Sequence, residues 1–377
     1  MKLKKVSLGV VSAFAAVTPF LADSAGLSMS QLATTKSVAT AGAGNVTNNT
    51  DSSATISNAA AMSGIGDSSY VSGAQYINVF SELTRNDTGA TTESSNGLIA
   101  PHASYAKRLS EKSVFGISLH STGGLGVKYS NGVGADPVNA LSENAITVVD
   151  ITSGISYQLS DKLSVGGSLI LQYMNISVSG GLNSQEDELI NGDSIAPSFS
   201  LSSYYELTEK TNIGMQYRHQ TDHDMDVETS LGTNPVVKLS WVTSVDMGLK
   251  HALTEKTSLM FNTRFENWED YDDKYDWTYS VGAGVEHKLD RLTIYGGASY
   301  DSSPVSESDR DVLLPVDQQW RLGVGGEYAL SSGKQLGVAY QYQNNGTAAI
   351  SADNGLLQPT GDYEDNRIHF VTVSYRH

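Results

Sequence analysis

Cysteine is absent from all 377 residues, so no disulfide staples this fold, although an exported chain of this size could have used several. Positive charge is scarce. Lys and Arg number 24 against 41 Asp and Glu, a formal charge of −17, which excludes the basic footprint of a nucleic-acid binder. Past the N-terminal leader no stretch approaches the ~18 apolar residues that a spanning helix needs. A local nucleophile motif, an energy-coupling motif and a cofactor motif are also lacking, so neither covalent chemistry nor a cofactor is expected. The acidic run Asp222-His223-Asp224-Met225-Asp226 lacks the glycine and distal glutamate of a calcium loop, so no metal site is expected.

What is present begins with an export signal. Lys2, Lys4 and Lys5 precede the apolar run Val6 to Ala22, and Ala22-Asp23-Ser24 supplies small cleavage residues. Residues 1–24 therefore read as a signal peptide, with the mature chain starting at Ala25. A retained anchor would need a longer run.

Six similar turn sequences follow: Leu109-Ser110-Glu111-Lys112, Leu159-Ser160-Asp161-Lys162, Leu207-Thr208-Glu209-Lys210, Leu253-Thr254-Glu255-Lys256, Lys288-Leu289-Asp290-Arg291 and Leu330-Ser331-Ser332-Gly333-Lys334. Ser, Thr and Asp bond back to the local backbone and favour tight reversals. Successive turns lie roughly 35 to 50 residues apart, room for two strands of ~10 residues and a longer loop between them. Six short turns separate seven hairpins, hence fourteen strands. Short turns on one side and long loops on the other are the layout of an outer-membrane β-barrel.

The segments between turns alternate as such strands must. Leu163, Val165, Leu169, Leu171 and Tyr173 oppose Ser164, Gly166, Ser168 and Gln172, and Trp277, Tyr279, Val281, Ala283 and Val285 oppose Thr278, Ser280, Gly282, Gly284 and Glu286. A soluble sandwich with one wet face would alternate too; the leader and regular turns favour the barrel. Tyr70, Tyr157, Tyr205, Tyr217, Tyr328 and Tyr375 stand at strand ends, where interfacial girdles form.

Alternation also assigns charges to the lumen, because a charge facing lipid at mid-depth costs about 2–4 kcal/mol. His120, Arg218, Lys238, Asp246, Lys250, Arg264, Arg321 and Glu327 fall on the polar faces of their strands. Arg218, Arg264 and Lys238, with His120 as a fourth, are candidate holders of an anionic ligand group; pairing across the barrel is the structural alternative. Residues 25–67 carry few charges and no period, and read as a compact plug ahead of a barrel spanning residues 68–377. His219 and His223, four apart beside an expected outer loop, read as solvated.

With these residues in view, the chain resembles the FadL/TodX family of outer-membrane transporters for long-chain fatty acids and other hydrophobic compounds. The resemblance rests on Asn58-Ala59-Ala60 at the end of the plug, Ala100-Pro101-His102, Gly123-Gly124-Leu125-Gly126, Tyr217-Arg218, Phe265-Glu266-Asn267-Trp268 and the stretch from Leu314-Pro315 to Trp320-Arg321-Leu322-Gly323. It departs from the family at Ala59, where a proline is usual, and at His377, where such barrels end on phenylalanine. It implies capture of a hydrophobic ligand by outer loops, a lumen pocket, and sideways exit where a strand kinks. Gly123, Gly124 and Gly126 are the expected site of that opening, since glycines permit bulges and bends. It implies a Gram-negative outer-membrane location among lipid and lipopolysaccharide, and a monomer is expected. The competing readings are a water-filled porin, a surface adhesin or phage receptor, and a barrel hydrolase.

Overall fold

The computed structural model describes residues 31–124, 126–133, 141–180, 187–229, 234–310, 312, 315–331, 333–351 and 360–377. The leader, the first residues of the plug, Leu125 and Leu314 lie outside these.

Strand segments follow the chain as β1 (Ser68–Arg85), β2 (Thr91–Arg108), β3 (Ser113–Gly123), β4 (Gly126–Val133), β5 (Leu141–Gln158), β6 (Leu163–Gly180), β7 (Asp187–Thr208), β8 (Thr211–Arg218) and β9 (Thr221–Thr229). They continue with β10 (Val236–Trp241), β11 (Thr243–Ala252), β12 (Thr257–Asn267), β13 (Trp277–Lys288), β14 (Leu292–Asp301), β15 (Gln319–Ala329), β16 (Gln335–Asn344) and β17 (Gly361–Arg376). Neighbouring strands pair antiparallel throughout the described residues, and β1 pairs with both β2 and β17, which closes the sheet. Three barrel strands are built of two segments in tandem, β3 with β4, β8 with β9 and β10 with β11. The barrel therefore has 17 − 3 = 14 strands. Closure joins the first strand to the last, the condition for spanning a bilayer with strands.

The six turn sequences join consecutive barrel strands on one side. In four of them a Ser or Thr hydroxyl accepts the amide of the lysine two residues on: Ser110 (3.3 Å), Ser160 (3.4 Å), Thr208 (3.2 Å) and Thr254 (3.2 Å). Apolar residues cover the outer wall, with Leu169 at 73% and Ile195 at 70% exposure. Tyr70, Tyr105, Tyr157, Tyr205 and Tyr328 ring the turn end, while Tyr76, Trp277, Tyr279, Trp320 and Tyr340 ring the other. At the chain end, His377 exchanges backbone hydrogen bonds with Tyr70, so the non-aromatic terminus still extends the closing ladder.

Residues 31–66 sit inside the barrel, because they touch strands on every side. Thr35 bonds Ser374 of β17, Ser52 bonds Ser104 of β2, Ser156 of β5 donates to the Ala60 carbonyl, and Gln216 of β8 donates to the Ile56 carbonyl. Barrel glycines make room for it. A Cβ at Gly297 would lie 2.5 Å from Thr40 O, and one at Gly214 2.2 Å from Val46 O. Two ionic contacts tie this segment to the wall. Lys36 lies 3.8 Å from Glu286, and Asp51 lies 3.2 Å from Arg376, which also reaches Glu327 at 3.2 Å.

The alternation breaks at one level of the wall. On β8 the lumen-facing residues are even-numbered (Gly214, Gln216), but on β9 they are odd-numbered (Thr221, His223, Met225, Val227). The same flip separates β11 from β10 at Val242. Both strands slip together, since Trp241 still opposes Thr221 and Ser244 still opposes Arg218.

Candidate lumen site and wall opening

Below that level the lumen is polar. His102 of β2 opposes His120 of β3, His120 opposes Asp150 of β5, Asp150 opposes Gln172 of β6, and Gln172 opposes Ala196 of β7. Inward-pointing side chains along this row meet. Arg218 Nη1 lies 2.7 Å and His120 Nε2 3.9 Å from Asp150 Oδ2, and Gln172 Nε2 donates to Asp150 Oδ1 at 2.8 Å. One turn around the wall, Arg264 Nε lies 3.0 Å from Glu266 and 3.7 Å from Asp246. A cavity of about 60 Å³ opens between these groups and the inner segment, lined by His120, Thr122, Arg218, Asp246, Asn262, Arg264 and, from the inner segment, Val46 and Ile56. Both ring nitrogens of His120, and Nε and Nη2 of Arg218, have no hydrogen-bond partner among the described residues. Charge is already offset here: two guanidiniums, Arg218 and Arg264, face three carboxylates, Asp150, Asp246 and Glu266.

Three of the four candidate cations thus converge on one cavity; Lys238 does not. Its side chain is 80% exposed on the outer face, 3.5 Å from Asp224. The slip at Val242 is the reason: it sends Leu239 and Trp241 inward and Lys238 outward. The same slip corrects the expectation that His219 and His223 are solvated. Asp222, Asp224, Asp226 and Glu228 belong to a strand, β9, and face outward. His223 is buried, bonded to Ser194 (2.6 Å) and Gln172 (3.1 Å), while His219 packs on Phe199.

Above the polar row the lumen becomes apolar. Ile146, Val148, Met174, Ile176, Val178, Ile190, Met225, Val227, Leu239 and Trp241 form one buried cluster, topped by Trp268, Tyr271 and Tyr275 of the following outer loop. A second apolar cluster on the opposite wall joins Ile77, Val79, Ala100, Ile368 and Phe370, with Leu98 half-buried against it.

Gly123, Gly124 and Gly126 lie where β3 gives way to β4. Gly124 has φ +115°, and a Cβ there would lie 2.6 Å from Ile146 O, so only glycine fits this bend without strain. Pairing of β2 with β3 stops at His102↔His120, and β4 rejoins β2 only at Ser94↔Tyr129. Between these points, residues 95–101 of β2 pair with no described residue on that side. The wall therefore has a seam here, and Leu98 and Ala100 connect it to the second apolar cluster. Asn58, Ala59 and Ala60 are fully buried: Asn58 Nδ2 donates to Val46 O (2.8 Å) and Ser203 O (3.0 Å), and Ala60 N to Ser202 (3.0 Å).

Asp150, Gln172 and His223 were not expected at the site. Asp150 carries a legible signal, a lone charge within Thr147-Val148-Val149-Asp150-Ile151; Gln172 and His223 do not, because their role depends on which strands adjoin.

The model of the family described as "Outer membrane protein transport protein (OMPP1/FadL/TodX)" matches residues 15–252 and 239–373. No curated protein matches the chain. Among solved structures, a Pseudomonas aeruginosa FadL homologue superposes with TM-score 0.81 at 16% identity, covering 93% of this chain and 99% of that one. The P. putida toluene transporter TodX gives 0.67 at 18% identity over 90% and 97% of the two chains. The Ralstonia pickettii toluene transporter TbuX gives 0.66 at 15% over 90% and 96%. Fourteen closed strands, an apolar upper lumen and a match over nearly the whole length place this chain in the OMPP1/FadL/TodX family of outer-membrane transporters of hydrophobic compounds.

Proposed function

We propose that the chain carries uncharged hydrophobic compounds from the cell surface through the upper lumen and out sideways at the β2/β3–β4 seam, with residues 25–67 as a plug. The observation that carries the reading is the seam itself, a break in backbone pairing bordered by Leu98 and Ala100 on the apolar lumen side and Ile99 on the lipid side. An apolar solute gains about 25 cal/mol per Å² on leaving water, so the bilayer is its preferred phase and a sideways exit runs downhill. The bonds of the inner segment to β2, β5, β8 and β17 support a plugged lumen over a water-filled porin.

A neutral cargo fits the charge pattern, since an added carboxylate would meet three carboxylates and only two guanidiniums. Toluene, the cargo named for TodX, is neutral as well. Long-chain fatty acids remain a second reading, favoured by the two unpartnered nitrogens of Arg218 at the cavity. Cells lacking their own outer-membrane transporter, expressing this chain, would be given radiolabelled alkane or radiolabelled long-chain fatty acid. Alkane uptake that is lost on Gly123→Val with Gly124→Val supports the reading. Uptake of fatty acid alone, lost in Arg218→Gln, moves it to the second. Neither cargo entering cells that hold folded protein in the outer membrane refutes both.

A further inference from the structure

Two prolines lie within the described strands, Pro101 in β2 and Pro197 in β7. Each sits in the same pattern, Ile-Ala-Pro-x-x-Ser, at residues 99–104 and 195–200. Their surroundings match: Ile99 and Ile195 are both 70% exposed on the outer wall, and Ala100 and Ala196 are buried at 4% and 5% on the inner. Proline has no N–H to give a ladder and is confined to strand edges and bulges. Pro101 borders the seam described above.

Pro197 borders another. Pairing of β7 with β8 stops at Ser200↔Arg218, and β7 rejoins the next strand only at Asp193↔Asp226 of β9. Residues 194–199 and 219–225 face each other without a register. Side chains bridge this second seam instead. Ser194 and His223 bond across it at 2.6 Å, and Ser198 Oγ lies 2.8 and 2.9 Å from the carbonyls of His219 and Gln220. At the lower end of the seam His219 N donates to Phe199 O at 3.0 Å. His223 has a partner at each ring nitrogen: Nδ1 lies 2.6 Å from Ser194 Oγ, and Nε2 lies 3.1 Å from Gln172 Oε1. Gln172 in turn donates to Asp150, so the second seam is joined to the polar row that ends at His120 and the first.

Apolar material meets this seam on both sides. Within, Met174, Ile190 and Met225 belong to the upper lumen cluster. Without, Ile195 and the tilted ring pair of Phe199 and His219, centroids 5.0 Å apart, lie on the outer wall. Arg218 stands about seven steps of ~3.3 Å up a strand tilted ~40°, roughly 18 Å above the turns, so the lower end of the seam, at Phe199 and His219, lies at the outer edge of the ~25 Å apolar band, with Asp222 and Asp224 facing outward above it.

We propose that the β7/β8–β9 seam is a second lateral portal, through which an uncharged apolar compound exchanges between the upper lumen and the membrane. The proposal rests on the sideways route argued above, and extends it to a second wall. Pro101 and Pro197 act as positioning residues that keep their seams from zipping, and Ser194 and His223 form the side-chain latch of the second.

Because the chain has no cysteine, each seam can be closed by its own introduced pair. Ser194→Cys with His223→Cys spans the second. Ala100→Cys with Thr122→Cys spans the first, where the His102↔His120 register would continue. Each pair is closed by oxidation, or by a short bis-maleimide where oxidation leaves free thiols, and verified by mass. Uptake of radiolabelled hexadecane is then measured in cells, against the open thiol form of the same variant, so that a folding defect appears in both. Partial loss on closing either seam, with complete loss on closing both, is the expected result. Complete loss from the first lock with no effect of the second overturns the second portal and leaves the sideways route standing. Uptake that survives both locks overturns the sideways route itself.

Discussion

Arg376 is the residue whose removal tests the proposed plug most directly. Its guanidinium bridges Asp51 of the inner segment and Glu327 of β15, 3.2 Å from each, and also reaches Gln335. Arg376→Ala leaves two carboxylates facing each other in a site where both residues are under a tenth exposed. Removing one partner of a buried pair costs about 3–5 kcal/mol. The lower end applies here, because Asp51 keeps hydrogen bonds from Ser53 (2.6 Å) and Asn48 (2.9 Å), and the Arg376 side chain is 22% exposed. About 3 kcal/mol corresponds to roughly a hundredfold rise in the fraction of molecules whose inner segment is detached. The pH dependence sharpens the test. Burial pushes the Asp51 carboxyl up, but Arg376, Ser53, Lys36 and Asn48 together outweigh it and hold it below 3.8. A depressed carboxyl stabilises the fold above its ordinary value and loses that contribution as pH falls through the folded value. Wild-type anchoring is therefore flat between about pH 5 and 8. In Arg376→Ala the largest lowering influence is lost while the burial remains, leaving only Ser53, Lys36 and Asn48 against it, so Asp51 titrates higher and the inner segment loosens as pH rises. Amide exchange of residues 34–62 in detergent-solubilised protein reads this, after correction for intrinsic rates. Exchange that matches wild type across this range would refute the reasoning.

Arg218→Ala should destabilise the barrel by about 3–5 kcal/mol, by leaving Asp150 buried and unpaired; the double change Arg218→Met with Asp150→Leu should recover most of it, measured by urea unfolding in micelles. Gly297→Val should push the inner segment off β14, since a Cβ would meet Thr40 O at 2.5 Å; an overpacking cost of about 1–3 kcal/mol or more and increased ion conductance in planar bilayers are expected. Lys274, in the loop beyond β12, has its ammonium pushed down to about 8 by burial, against a smaller opposing pull from Asp309. A lysine depressed in the folded state strengthens the fold as pH rises from that value towards its ordinary 10.5. Exchange at residues 268–276 should slow over that range, and Lys274→Met should abolish the dependence.

The turns, the fourteen strands and the outer faces were legible because each depends on a few neighbouring residues. Ser110, Ser160, Thr208 and Thr254 bond to amides two residues on, a contact that any reader of the local sequence can anticipate. The polar row from His102 to Ala196 was not, since it depends on pairing between strands far apart in the chain. Gly123, Gly124 and Gly126 marked the place of the first seam in advance; the second was not foreseen, although Pro197 inside an alternating run was a signal for it.

Lys238 and His223 show why alternation alone misassigns faces near the outer rim. Inside the membrane the apolar phase is outside the barrel; above it, water is outside and the apolar phase is the lumen. A strand that crosses this level must exchange its faces, and the wall does so in two ways. β6 keeps its backbone regular and shifts its sequence: Leu169 and Leu171 face out below, while Met174, Ile176 and Val178 face in above, with Gln172 at the change. β8 and β9 do the reverse. Their apolar and neutral residues stay on odd numbers from Ile213 to Val227, and the backbone slips at His219 and Gln220 to turn that face inward. β10 and β11 must slip at Val242 to stay in register with them. The first solution preserves the ladder, and β6 pairs with β7 along nearly its whole length. The second breaks it, which is why a seam in this wall stands beside a slipped strand.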